Sequence, residues 1–243
     1  MAAEADADTL QKHMAGTYHN LRLGVGLIGI TLPVALWLGG MLLDREALRS
    51  SMSAYYYSDA MRNTFVGALI TIGVILYLYK GFSTKENVAL NVAGFFAVMV
   101  AMIPTHPADT DGPLLTAHRV AAVLFFASIA YVAIFRASDT LSLIRDTKDA
   151  EKLRTVYRSL GIAMIVLPLI AVILSTRDAA LKSVVVFMVE AFAVWTFGVF
   201  WLVKSAELKA TDAQRLALEG KLQAVTPIAV PAASPGRLVQ VEP

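Results

Sequence analysis

One charged residue, Glu190, lies well inside a long apolar run of this chain, between Ser183 and Val203. At the centre of a bilayer a charged side chain costs roughly 2.5 to 3.5 kcal/mol on insertion scales, so it needs a polar partner or a functional reason to be there. A buried carboxylate can act as a general base or bind a metal ion. Glu190 is therefore the candidate catalytic residue. The competing structural role is a contact with Arg62, Arg119 or His118, or a protonated carboxyl group that is hydrogen-bonded to a neighbouring helix.

Other polar residues are expected at nearly the same level as Glu190. His118 follows Pro113 by five residues and Glu190 follows Ser183 by seven, which places them about 7 and 10 Å into helices that begin there. Such groups avoid lipid if they share a polar pocket open to one side of the membrane. The residues predicted to bind a ligand in this pocket are Asp59, Arg62, Arg119 and Tyr57.

A divalent metal is the one cofactor that these residue types indicate. His106, Asp109 and His118 carry imidazole and carboxylate groups that bind zinc and similar ions, and Glu190 could join them. Their spacing is not one that metal sites require. The alternative is an acidic loop whose aspartates, including Asp111, cap the helix that begins at Pro113.

Tyr55, Tyr56 and Tyr57 stand just outside an apolar run. Tyrosine at this height usually anchors a helix at the membrane interface. The alternative role for Tyr57 is to line a head-group pocket.

The composition indicates an integral membrane protein. Of the 243 residues 57% are hydrophobic and 16% are charged, and the mean hydropathy is +0.61. The chain has no cysteine, which excludes disulfides, thiolate metal sites and cysteine nucleophiles. A net charge of +2 gives no reason to expect a nucleic acid partner.

Six apolar runs predict an all-α, polytopic membrane protein, a bundle of six transmembrane helices. The predicted spans are Leu23–Leu43, Asn63–Tyr79, Val88–Pro104, Pro113–Phe135, Ser159–Ser175 and Ser183–Val203. Residues 1–22 form a polar N-terminal segment, 23–203 the transmembrane domain, and 204–243 a polar helical extension followed by a disordered, proline-rich tail. Ser83 and Glu86 have the spacing of a capping box, and Ser58 or Asp59 can cap the second span.

The distribution of basic residues predicts the orientation. Six spans put both termini on one side, together with fifteen of the 21 lysines and arginines, and leave six on the other. The positive-inside rule then predicts cytoplasmic termini in a plasma membrane of the bacterial inner-membrane type. The pocket around Glu190 would face outward.

Three functions are compatible with these features. The first is a non-catalytic membrane component that binds a lipid or a partner, either another membrane protein or a second copy of the chain. The second is a hydrolase or transferase acting on a lipid head group, with Glu190 as base or metal ligand. The third is a small proton-coupled carrier or channel.

Overall fold

A computed structural model describes residues 2–104, 112–175 and 184–220, the first few of them as backbone only. Of the described residues, 86% are helical and none lies in a strand. The seven α-helices of this part of the chain are α1 Ala2–Gly39, α2 Arg62–Leu78, α3 Thr84–Met102, α4 Pro113–Tyr131, α5 Thr147–Ser175, α6 Val185–Ala210 and α7 Ala213–Leu218. Shorter π- and 3-10 segments extend α1 and α4 and form part of the loop before α2.

Five helical segments are long and apolar enough to cross a membrane. They are Asp8–Asp44, Thr84–Met102, Pro113–Leu143, Thr147–Ser175 and Val185–Ala210. Large apolar side chains cover their outer surfaces, and Phe95, Phe135 and Ile162 are each more than half exposed. These features indicate insertion into a membrane. Helix α2 has 17 residues, which is about 25 Å and less than a typical hydrocarbon core, so the sixth span remains a prediction.

The six long helices form a closed ring. Each packs against the next in chain order, and α6 packs against α1 to complete the circle. Two of these contacts need glycine. A Cβ added at Gly73 of α2 would lie 2.8 Å from the carbonyl oxygen of Gly94 in α3, and one at Gly29 of α1 would lie 3.0 Å from the Cα of Gly198 in α6. Small residues therefore let the helix backbones approach closely.

The predicted helix starts are confirmed at two places. The Ser83 hydroxyl accepts a hydrogen bond from the Glu86 N–H at 3.3 Å, as in a capping box, although the Glu86 carboxylate binds the Phe82 N–H instead of the Ser83 N–H. Ser58, and not Asp59, caps the turn before α2, because its hydroxyl accepts from the Met61 N–H at 2.9 Å.

The ends of several helices differ from the prediction. Helix α5 begins at Thr147, twelve residues before the predicted span, and α1 includes nearly all of the polar N-terminal segment. The helical extension after residue 203 continues to Ala210 and is then interrupted, since Asp212 adopts a left-handed conformation with φ of 52°. The short α7 turns back and packs on α1 and α6. The predicted disordered tail lies outside the described residues.

Candidate ligand-binding cavity

A cavity of about 280 Å³ lies inside the ring of helices. Each of α1 to α6 contributes to its wall, together with residues 50–54 of the loop between α1 and α2. The polar part of the wall consists of His118, Arg119, Ser175, Glu190 and three serines of that loop. All other wall residues except the backbone of the loop are apolar. The ring thus encloses a space with both polar and apolar walls, as ligand sites usually have.

The polar and apolar walls lie at different depths. On α4, His118 and Arg119 lie in the first two turns, whereas Phe125 and Phe126 lie about 10 Å further along the helix. On α5, Ser175 is the last residue and Pro168 lies about 10 Å nearer the middle. We call the polar side the Glu190 end of the bundle and the opposite side the Lys204 end. The cavity is polar at the Glu190 end and apolar toward the centre.

Glu190 is bonded to the loop between α1 and α2. Its Oε2 accepts a hydrogen bond from the backbone N–H of Met52 at 2.6 Å. The expected ion pair with Arg62, Arg119 or His118 does not occur among the residues that the structure describes. The reason is that the loop reaches into the bundle, where the Met52 side chain is buried, and brings a backbone donor to the carboxylate.

The loop is fixed in place from both sides. Arg49 donates to the carbonyl oxygens of Ala54 and Tyr57, each at 3.3 Å, and pairs with Glu46 at 2.5 Å. The ring of Tyr55 packs on Phe187 of α6, with 6.0 Å between ring centroids, and burial raises the pKa of its phenol. Asp44 accepts hydrogen bonds from the Ser58 hydroxyl and the Ala60 N–H. The Met52 N–H is therefore held in position by the rest of the loop.

His118 and Arg119 bring two different functional groups to the cavity wall. His118 is buried, and its Nδ1 is 3.0 Å from the carbonyl oxygen of Ile103. A carbonyl can only accept, so Nδ1 donates and Nε2 is left as an acceptor. Arg119 is half-buried and forms no hydrogen bond or ion pair within the described part of the chain.

Within the described ranges, no group of three or more His, Asp or Glu residues lies close enough together to hold a metal ion. His106, Asp109 and Asp111 lie outside those ranges. The metal site remains a prediction that rests on them. His118 has the tautomer of a metal ligand, but the hydrogen bond to Ile103 is equally suited to a histidine that packs in the core.

Three other residues with a predicted binding role do not line the cavity. Asp59 and Arg62 are exposed, and Arg62 contacts Tyr56, with 2.8 Å from its Nη2 to the phenol oxygen and 4.4 Å from its Cζ to the ring centroid. Tyr57 is half-buried, and its ring packs on that of Tyr56. The binding role of these residues remains a prediction. Of the predicted residues that the structure describes, Glu190, His118 and Arg119 come together in one cavity.

The Lys204 end contains a buried polar network that the sequence analysis missed. The Lys204 ammonium donates to a Glu207 oxygen and to Thr140, each at 2.7 Å, and to the Ala137 carbonyl at 2.8 Å. The same carboxylate accepts from the Tyr157 hydroxyl at 2.6 Å. Both charged side chains are almost fully buried. Their three-residue spacing places Lys204 and Glu207 on one face of a helix and is the sequence signal for such a pair. Both follow the last apolar run, however, and so fall within the polar helical extension predicted for residues 204–243.

A second buried cation lies at the same end of the bundle, in a separate group of hydrogen bonds. Arg22 is 1% exposed, and its Nη1 donates to the Tyr79 hydroxyl at 3.0 Å and to the Gln214 amide oxygen at 2.9 Å. The bond to Gln214 accounts for the return of α7 to the bundle after the break at Asp212.

The two polar ends are separated by an apolar layer. Lys204 follows Glu190 by 14 residues on the same helix, which is about 21 Å. Three aromatic residues of α6 are buried between them, namely Phe197, Phe200 and Trp201. Trp201 packs on the other two rings, and Phe197 also packs on Phe125 of α4. In the described part of the bundle, the cavity therefore has no polar connection to the Lys204 network.

No known protein family, curated protein or solved structure shows significant similarity to the chain. The site therefore has to be interpreted from its own geometry.

Proposed function

We propose that this protein binds an amphiphilic molecule, a membrane lipid, in its internal cavity and does not convert it chemically. The observation that carries the proposal is the division of the cavity wall, which is polar at the Glu190 end and apolar toward the centre of the bundle. A head group fits the first part and a hydrocarbon chain fits the second.

The physics of the bilayer gives the two parts different roles. A chain that moves from lipid into an apolar cavity gains little, because lipid tails are as apolar as the cavity wall. Affinity and selectivity must therefore come from the head group, where Arg119 and Glu190 offer charge-assisted hydrogen bonds in a site of low dielectric constant.

The catalytic and transport alternatives have less support. An enzyme needs an activated nucleophile or a metal, and among the described residues no Ser or Thr hydroxyl is bonded to Glu190 or His118 and no three metal-binding side chains lie together. A proton-coupled carrier needs a polar path through the bundle, and the aromatic layer around Phe197 and Trp201 interrupts any such path among the described residues.

Filling the cavity tests the proposal. Ala122 on α4 lines the cavity, whereas Val120, two residues earlier, is 51% exposed on the outer surface. We expect Ala122→Phe to lower the amount of lipid that co-purifies with the protein by about tenfold, which corresponds to 1.4 kcal/mol, and Val120→Phe to leave it unchanged. Native mass spectrometry of the purified protein measures the bound lipid directly.

Two results would contradict this function. Equal lipid retention by wild type and Ala122→Phe would show that the lipid does not occupy the cavity. A bound lipid that is converted to a product of different mass during incubation would indicate the hydrolase or transferase instead.

A further inference from the structure

The charges of the cavity indicate which head group it accepts. On the basis of the proposed function, we infer that the ligand is an amphiphile whose head carries both a phosphate and a primary ammonium, as in phosphoethanolamine. Arg119 would bind the phosphate and Glu190 the ammonium.

An arginine and a glutamic acid, Arg119 and Glu190, line the same cavity without pairing with each other. Arg119 is on α4 and Glu190 is on α6, and they form no ion pair with each other. In a site of low dielectric constant Arg119 attracts an anion strongly, and a ligand cation placed beside the Glu190 carboxyl group stabilises its ionised form. A zwitterionic ligand satisfies both residues, whereas a ligand with one charge leaves the other residue unpaired.

Glu190, Arg119 and His118 each have hydrogen-bonding atoms without a partner among the described residues. Glu190 engages Oε2 with the Met52 N–H, and no partner is seen for Oε1 within the described residues. An arginine has five N–H donors, and those of Arg119 have no partner in the same part of the chain. His118 adds an acceptor at Nε2. The cavity thus offers acceptors from Glu190 and His118 and donors from Arg119.

These groups distinguish three common head groups. A primary ammonium donates three hydrogen bonds, which suit the acceptors of Glu190 and His118. A trimethylammonium has no N–H donor, so a phosphocholine head makes only a Coulombic contact with the carboxylate. A phosphoglycerol head brings a phosphate for Arg119 but no cation for Glu190.

The experiment compares single-chain phospholipids that share one acyl chain and differ only in the head group. We expect the full-length protein in detergent to bind the phosphoethanolamine form about tenfold more tightly than the phosphocholine and phosphoglycerol forms, because hydrogen bonds to charged groups are among the strongest in proteins. Isothermal titration calorimetry measures the three dissociation constants.

Variants of Glu190 and Arg119 test which residue binds the ammonium and which binds the phosphate. Glu190→Gln keeps the shape of the side chain, and we expect it to bring the ratio between the phosphoethanolamine and phosphoglycerol constants to about one. Arg119→Gln should weaken all three ligands about equally, because each carries a phosphate, and Arg119→Lys should restore part of the binding.

The outcomes separate this inference from the proposed function. Equal binding of the three lipids, or a preference for phosphoglycerol, with Ala122→Phe still blocking them, would overturn the inference and leave lipid binding intact. No binding of any lipid to the wild type would overturn both.

Glycerophosphoethanolamine, which has no acyl chain, should not bind at the same concentration. If it binds equally well, the ligand is a soluble phosphate ester and the amphiphile is excluded.

Discussion

Glu190 has a structural contact in the described fold and a separate role in the proposed function. One oxygen accepts the Met52 N–H, a backbone donor that has no partner in a helix or strand. A buried backbone N–H must be satisfied, so this bond stabilises the inward course of the loop. Glu190 therefore positions the loop that forms part of the cavity wall. In the proposed function the ligand contacts the second oxygen.

Replacing Glu190 separates these roles. Glu190→Gln retains a side-chain oxygen for the Met52 N–H, so we expect the loop to stay ordered. Glu190→Ala leaves that N–H unpaired, at about 1 to 3 kcal/mol, and hydrogen exchange of residues 50–57 should become faster by one to two orders of magnitude, as such a free-energy loss implies. Mass spectrometry of the exchanged peptides measures this. Equal protection in wild type and Glu190→Ala would show that the bond does not hold the loop.

Helix α6 is the element that connects the two polar regions of the molecule. Near its start it contributes Glu190 to the cavity, and near its end it contributes Lys204 and Glu207 to the network with α5 and the segment after α4. Removing one partner of a buried ion pair leaves an uncompensated charge, whereas replacing both with apolar groups is often tolerated. The network thus fixes the position of α6 in the ring.

Lys204→Met is expected to destabilise the protein by about 3 to 5 kcal/mol, because it leaves the Glu207 carboxylate buried without its cation. The double variant Lys204→Met with Glu207→Leu should recover part of this loss. Lys152→Met is the matched control, since Lys152 and Asp149 have the same three-residue spacing but are exposed, and it should change stability by less than about 1 kcal/mol. Thermal or denaturant unfolding in detergent measures the three variants. A Lys204→Met protein as stable as the control would show that the pair is not needed.

The whole molecule is a closed ring of helices whose topology in the membrane depends on α2. If all six long helices span, both termini lie on one side and the Glu190 end faces the other. The distribution of basic residues predicts that the termini are cytoplasmic. A shorter α2 can still span where the bilayer thins around it.

The absence of cysteine from the chain makes this topology directly testable. Single cysteines at His13, Asp59 and Lys209 lie at exposed positions at the two ends of the bundle. We expect a membrane-impermeant maleimide added to intact cells to label Asp59→Cys and to leave the other two unlabelled until the membrane is permeabilised. Labelling of His13→Cys and not of Lys209→Cys would show an odd number of spans, and labelling of both but not Asp59→Cys would show the reverse orientation.

The sequence by itself determined the helical class, the apolar segments and two of the caps that precede helices. Hydropathy is a sum over neighbouring residues, and a cap such as Ser83 acts on an N–H three residues away, so both are local properties. The same local rules identified Glu190 as unusual and placed His118 near its level.

Only the tertiary structure decided which groups these residues meet. The Met52 amide lies 138 residues from Glu190, and Gln214 lies 192 residues from Arg22. Met52 reaches Glu190 because the loop between α1 and α2 runs into the bundle, and Gln214 reaches Arg22 because α7 folds back onto α1. The burial of Lys204 and Glu207 has the same origin, because two charges that look solvated in sequence are enclosed by helices that pack around them.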